Sequence, residues 1–362
     1  METIADFEVQ YSQFLNPEGK PSSDIPELAR EPDTLIGLYR AMTETRVFDT
    51  KAVNLQRTGK LGTYASSLGH EAAHVGIAAA MREDDVLAPS YRETGTMLYR
   101  GVRMEELLLY WGGDERGSDF ADVKNDFPYC VPIATQCLHA AGAAMAFQLR
   151  GESRCAVSLN GDGGTSEGAF YEAMNVAGVR NLPVIFIVIN NKWAISLPIE
   201  EQTATKTLAQ KAVAAGIPGI QVDGNDVIAV RHWVGRALAR ARKGEGACLI
   251  ETVTYRLSDH TTADDASRYR KKEDVEAAWK VEPLIRIRKY LTALGVWDEE
   301  KEKALLEDAA DKVDIAVQKY LNTPKPSVES MFDYMYKDLP EFLEEQREHA
   351  IRYADTNGGE LG

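Results

Sequence analysis

Residues 155–193 read C-A-V-S-L-N from Cys155 to Asn160, G-D-G-G-T-S-E-G from Gly161 to Gly168, L-P-V-I-F-I-V-I from Leu182 to Ile189 and N-N-K-W from Asn190 to Trp193. The Pro183–Ile189 run is uncharged, β-branched and aromatic, which predicts a strand buried on both faces. The earlier apolar run is shorter and ends in Asn160. Between them Ala169, Phe170, Ala173, Met174 and Ala177 recur at helical spacing. Strand, turn, helix and strand in that order build a parallel sheet. The expected fold is α/β, doubly wound, with a mainly parallel sheet.

The polar residues of this stretch fall at predicted strand ends. Asp162 follows the first strand within Gly-Asp-Gly-Gly, and Asn190 and Asn191 end the second. In open α/β sheets these positions face the crevice outside the carboxyl edge, where ligands bind. A carboxylate, an amide oxygen and a backbone carbonyl form a hard oxygen set suited to magnesium. Gly163 and Gly164 let backbone N–H groups approach an anion, and the helix start beyond them favours negative charge. A divalent metal beside such a turn points to a diphosphate ligand.

Outward from this unit, Pro17, Pro21, Pro26 and Pro32 predict an extended arm over residues 1–33. Leu35, Leu38, Tyr39, Met42, Val47 and Phe48 predict an amphipathic helix over 34–57. Helices are expected over 69–81 and 101–111, with a surface loop over 112–129. The Ala-rich run around Gly142 predicts a helix that another backbone could approach closely. I-Q-V-D-G and Cys248–Tyr255 read as strands. The helix between them, Asp226–Lys243, carries Arg231, Arg236, Arg240 and Arg242 on an expected solvated face. The exit loop of the last strand holds His260, whose imidazole could donate to an anion or move a proton. Charged helices follow over 273–320, then a break at Thr323–Pro326, a terminal helix over 328–353 and a frayed tail, Asn357–Gly362. The expected division is an arm (1–33), an α/β domain (34–272) and a helical region (273–362).

A formal net charge of −15 argues against nucleic acid and anionic membrane as partners. The N-terminal M-E-T-I-A-D-F-E lacks an apolar h-region, so no secretory leader is expected. Cys130, Cys137, Cys155 and Cys248 have no metal spacing. Reduced, buried thiols in a cytoplasmic protein are the expectation.

One motif competes. His70, Glu71 and His74 form H-E-x-x-H, with Glu93 eighteen residues beyond His74. That pattern places two zinc ligands on one helix face with a glutamate as general base, as in metallopeptidases. The alternative is a helix with two surface or interface histidines. Glu93 lies in A-P-S-Y-R-E-T-G, where a helix for a third ligand is not expected.

G-D-G and N-N, with 26 residues between Gly163 and Asn190, resemble the thiamine diphosphate motif. The resemblance implies that Asp162, Asn191 and the Trp193 carbonyl hold magnesium against the cofactor diphosphate. It implies that Tyr91 and Arg92 bind the diphosphate, a task suited to the planar guanidinium fork. It also implies that the main chain at Val131 and Ile133 contacts the aminopyrimidine, and that His260 serves the active site. From Thr34 to Arg347 the chain resembles alpha subunits of the first component of 2-oxo acid dehydrogenase complexes. L-A-Q-K-A-V-A-A-G-I-P-G-I-Q-V-D-G is most similar to bacterial pyruvate dehydrogenase alpha subunits, while D-D-A-S-R-Y-R and V-D-G-N-D-V are also similar to the branched-chain type.

The implied activity is oxidative decarboxylation of a 2-oxo acid, with the acyl group passed to a lipoyl-bearing acyltransferase core. For pyruvate this supplies acetyl-CoA. Thr261 and Thr262 lie in a loop that is modified in some relatives. Thiamine chemistry also needs a carboxylate on the aminopyrimidine ring nitrogen, supplied by a second α/β domain. No second strand series follows residue 260, so the chain is expected to hold half an active site. The other half would come from a beta subunit, with two copies of each chain. A non-catalytic structural subunit is the remaining alternative.

Overall fold

The computed structural model describes residues 1–356; the tail Asn357–Gly362 lies outside the described residues. Its strands are β1 (Gln10–Ser12), β2 (Val86–Ala88), β3 (Ala156–Gly161), β4 (Val184–Asn190), β5 (Trp193–Ala194), β6 (Leu197–Pro198), β7 (Gly219–Asp223) and β8 (Cys248–Val253). Strands β5 and β6 pair antiparallel as a small ribbon. The other six form one sheet in the order β1-β7-β8-β4-β3-β2, parallel throughout. A parallel sheet delivers all its carboxyl ends to one edge. The segments after β2, β3, β4 and β8 therefore start from a common side.

The crossover from β3 to β4 steps one way along the sheet, and that from β7 to β8 steps back. Right-handed crossovers then place their helices on opposite faces. On one face, alanines of helices Thr135–Arg150 and Gly168–Arg180 pack with Phe186, Val188 and Leu249 of the sheet. Each such large side chain contributes about 1.5–3 kcal/mol on full burial. The crossover helix Val227–Arg242 packs on the sheet from the other side. A second core joins helices Pro32–Arg57, Glu71–Ala78 and Pro283–Ala293 through Leu35, Tyr39, Met42, Val75, Ile228 and Ile287.

Several expectations are corrected. The arm is not merely extended, since Gln10–Ser12 adds a parallel edge strand to β7. Asp226 fastens it: Oδ1 caps the crossover helix through the Ile228 and Ala229 N–H groups, and Oδ2 accepts from Phe14 and Leu15 N–H. Arg242, placed on a solvated face, instead pairs with buried Asp85. A Cβ on Gly142 would meet nothing within 4 Å among the described residues, which leaves an approach by another chain open.

The chain divides into compact units Met1–Gln318 and Lys319–Gly362. In the second, the expected single helix is two, Ser330–Asp333 and Glu341–Thr356. Pro340 forces the preceding residue out of the helical region. Cys130, Cys137, Cys155 and Cys248 are free, and all but Cys130 are buried. Among the described residues no helix is long and apolar enough to cross a membrane.

Candidate active site

Strand β3 is buried from Ala156 to Asn160 and leads directly into Asp162, which is 2% exposed. Its Oδ2 accepts from Gln202 Nε2 at 2.7 Å. Burial pushes the carboxyl pKa up, against a smaller lowering by hydrogen bonds and Arg256. Asp162 forms no ion pair among the described residues, so a bound cation would favour its charged form. A Cβ on Gly164 would lie 2.1 Å from Asn160 Oδ1, and one on Gly163 would lie 2.7 Å from Ala194 Cβ. The turn thus needs both glycines to fold against its own strand and the β5–β6 ribbon. A Cβ on Gly161 would meet nothing within 4 Å.

Strand β4 delivers buried Asn190 and Asn191. Asn191 Oδ1 accepts from the Trp193 N–H at 3.1 Å. Lys192 and Ile195 have φ of +74° and +56°, a conformation that costs non-glycine residues about 1–2 kcal/mol. These turns shape the backbone that carries the Trp193 carbonyl.

Arg92, after β2, donates through Nη1 to the Ser66 carbonyl at 2.6 Å. Its Nη2 meets the His260 carbonyl at 2.8 Å and His260 Nδ1 at 3.1 Å. Arg256, fully buried beyond β8, donates to the Ile195 carbonyl at 2.7 Å and the Tyr269 hydroxyl at 2.8 Å. Its Nη1 approaches His260 Nδ1 at 3.4 Å. Neither arginine forms an ion pair among the described residues. Arg92, a buried guanidinium on the cavity wall without a carboxylate partner, calls for an anion. Because both present donors to His260 Nδ1, that nitrogen accepts and the ring proton sits on Nε2. Burial, then Arg92 and Arg256, push the His260 pKa down to about 4. His260 is therefore neutral at physiological pH and donates, rather than acting as a base.

Tyr91, Arg92, Val131, Ile133, Asp162, Gly163, Gly164, Asn191, Trp193 and His260 all line one cavity of about 610 Å³. Val131 and Ile133 are large apolar residues about half exposed at its margin. The oxygen set fits magnesium, and Arg92 fits a diphosphate.

Residues 39–329 match the family described as dehydrogenase E1 component. The chain belongs to this family. Over 342 residues it is 43% identical to the 3-methyl-2-oxobutanoate dehydrogenase subunit alpha of Mycobacterium tuberculosis (strain ATCC 25618 / H37Rv), covering 93% of this chain and 92% of that one. Over 340 residues it is 41% identical to the pyruvate dehydrogenase E1 component subunit alpha of Staphylococcus aureus (strain N315), covering 93% and 91%. The corresponding Staphylococcus epidermidis subunit is 40% identical over 351 residues, covering 96% and 94%.

In this E1 family chain the H-E-x-x-H motif has another setting. Glu71 is engaged by Arg46 and by the Gly69 N–H, which removes it as a free base. Both Glu93 oxygens accept from Ser90 Oγ, at 2.8 and 3.1 Å. Among the described residues no three His, Cys, Asp or Glu side chains gather to hold a metal. Nor are the histidines on the surface: His70 and His74 are buried edge to face, and none of their ring nitrogens has a hydrogen-bond partner among the described residues. His70 also lines the cavity. Burial pushes His74 down to about 3, assisted by the Arg92 charge, and lowers His70 strongly.

His74 thus binds its proton far more readily in the unfolded chain, near pH 6.5. It costs nothing above that pH, and its destabilising contribution grows as pH falls toward the folded value. Buried carboxyls titrate in the same region with the opposite sign, so the readout is differential. Between pH 6.5 and 5, wild-type stability is expected to fall more steeply than that of His74→Leu, by up to about 1.4 kcal/mol per pH unit. Denaturant unfolding at several pH values measures this; parallel curves would show that His74 titrates normally in the fold.

The sequence reading gave a role to neither Arg256 nor Gln202. Each is a single polar residue whose importance lies in a tertiary contact. Only the position of Arg256 at a strand exit was a usable signal.

Proposed function

We propose that this chain is the alpha subunit of a pyruvate dehydrogenase first component, working with a beta subunit and a lipoyl-bearing acyltransferase core in the cytoplasm. At the coarser level it is a first-component alpha subunit of a 2-oxo acid dehydrogenase that uses thiamine diphosphate. The observation that carries the reading is the convergence, in one cavity, of a cation-ready oxygen set and Arg92, a buried guanidinium with no ion-pair partner among the described residues. Asp162, Asn191 and the Trp193 carbonyl would hold magnesium, while Tyr91 and Arg92 would bind the diphosphate. When bound, the cofactor supplies an electron sink for decarboxylation. His260 presents its Nε2 proton to a phosphate or substrate oxygen and keeps that proton near neutral pH. Val131 and Ile133 lie where the main chain would meet the aminopyrimidine.

The likeness of Leu208–Gly224 to bacterial pyruvate dehydrogenase alpha subunits supports pyruvate. The name of the mycobacterial relative supports the branched-chain alternative. Steady-state kinetics of the reconstituted complex, comparing pyruvate with 3-methyl-2-oxobutanoate, tests the choice. The expected kcat/KM favours pyruvate by at least about tenfold, the discrimination that a small hydrophobic size difference supplies. The reverse preference would replace pyruvate with the branched-chain acid.

A further inference from the structure

Strand β8 carries one acidic residue, Glu251, between β4 and β7 at the centre of the sheet. It is fully buried and has no ion-pair partner among the described residues. Its three partners are all N–H donors: Asn190 Nδ2 at 2.7 Å, the Ala209 N–H at 3.0 Å and Gln221 Nε2 at 3.1 Å. A buried carboxyl in a central strand is costly, and an apolar residue there would pack without that cost. Two of its bonds anchor neighbouring backbone and side chain. The third reaches toward the cavity.

An amide side chain can point either way unless its partners decide. Glu251 accepts from Asn190 Nδ2, so Asn190 Oδ1 must face the other way. There it accepts from the Lys192 N–H at 3.1 Å. Lys192 is the residue with φ of +74°, and its peptide leads directly into Trp193. The adjacent Asn191 Oδ1 accepts from the Trp193 N–H, with a lone pair to spare. The path from Glu251 through Asn190 to Lys192 therefore holds the turn carrying two of the three magnesium oxygens.

We propose that Glu251 is a positioning residue for the metal: through Asn190 it fixes the turn that aims the Asn191 amide oxygen and the Trp193 carbonyl into the cavity. This rests on the magnesium and thiamine diphosphate reading above. It gives the paired asparagines separate tasks, Asn190 facing inward to the sheet and Asn191 outward to the cation. Outer groups that orient metal ligands commonly set affinity by about 10- to 100-fold.

The test uses the full chain assembled with its beta subunit. Magnesium is titrated at saturating thiamine diphosphate, read by calorimetry and by quenching of tryptophan fluorescence, since Trp111 and Trp193 line the cavity. Glu251→Gln places an amide N–H against donors, and Asn190→Ala cuts the path while leaving the other two Glu251 bonds. Each is expected to raise the magnesium dissociation constant about 10- to 100-fold. The double variant is expected to match the weaker single one, because both changes break one path. Gln221→Ala removes a donor from the same carboxyl without touching the turn, and its magnesium affinity is expected within about twofold of wild type.

Wild-type magnesium affinity in folded Asn190→Ala would overturn the proposal. So would additive losses in the double variant, or an equal loss in Gln221→Ala. A wild-type assembly that binds thiamine diphosphate equally with and without magnesium would overturn the metal reading itself, and this inference with it.

Discussion

Asp162→Ala is expected to abolish magnesium-dependent binding of thiamine diphosphate while leaving the unliganded chain folded. Asp162 is the only carboxylate in the proposed metal set; its companions, the Asn191 amide and Trp193 carbonyl, are neutral. Affinity for a hard cation depends on the charge of its ligands. Losing the charged ligand should cost more than the about 10- to 100-fold typical of outer groups. Stability should move little or rise, because the native carboxyl is buried without a cation and its ionised form is disfavoured. Gln202 Nε2, which loses this acceptor, keeps the Leu197 carbonyl at 3.0 Å. Titration of thiamine diphosphate with and without magnesium, beside a thermal melt, reads both effects. Unchanged affinity would remove Asp162 from the metal site. A collapsed melting transition would instead make it a structural group.

The elements legible in the sequence were those whose local pattern and tertiary setting agree. β4 has seven residues and no charged side chain, and it is buried throughout, so an uncharged β-branched run had one reading. The site residues of β3 and β4 were legible because strand ends in a parallel sheet share an edge. β1 and β2 escaped because each is only three residues long, too short for a period to register. The H-E-x-x-H spacing kept zinc as a rival because Arg46, which engages Glu71, comes from another helix and does not show in the local pattern. Glu251 and Arg256 were illegible for the same reason. A charged residue in or beyond an apolar strand states that something must meet it, but only the fold states what.

The isolated chain is expected to show no turnover of 2-oxo acids, with activity appearing on mixing with its beta subunit. Among the described residues there is one parallel sheet, and its carboxyl edge is taken up by the residues proposed to bind the diphosphate. Thiamine activation needs a carboxylate on the aminopyrimidine ring nitrogen. Of the three cavity acids, Asp162 belongs to the proposed cation set and Glu93 is held by Ser90 Oγ and the Arg92 N–H, which leaves Glu167. Val131 and Ile133, about half exposed at the margin, leave one side of the ring site for another chain to cover. The cofactor's diphosphate end could still bind weakly to the chain alone, since Tyr91, Arg92 and the oxygen set are all present. The proposed assembly has two copies of each subunit. Decarboxylation with an artificial electron acceptor, assayed for the chain alone and after adding the beta subunit, should differ by at least about a thousandfold, because positioning effects of this kind are worth several kcal/mol. Substantial turnover by the homogeneous single chain would show that it supplies the ring carboxylate itself. Glu167, which also lines the cavity, would then be the first residue to replace.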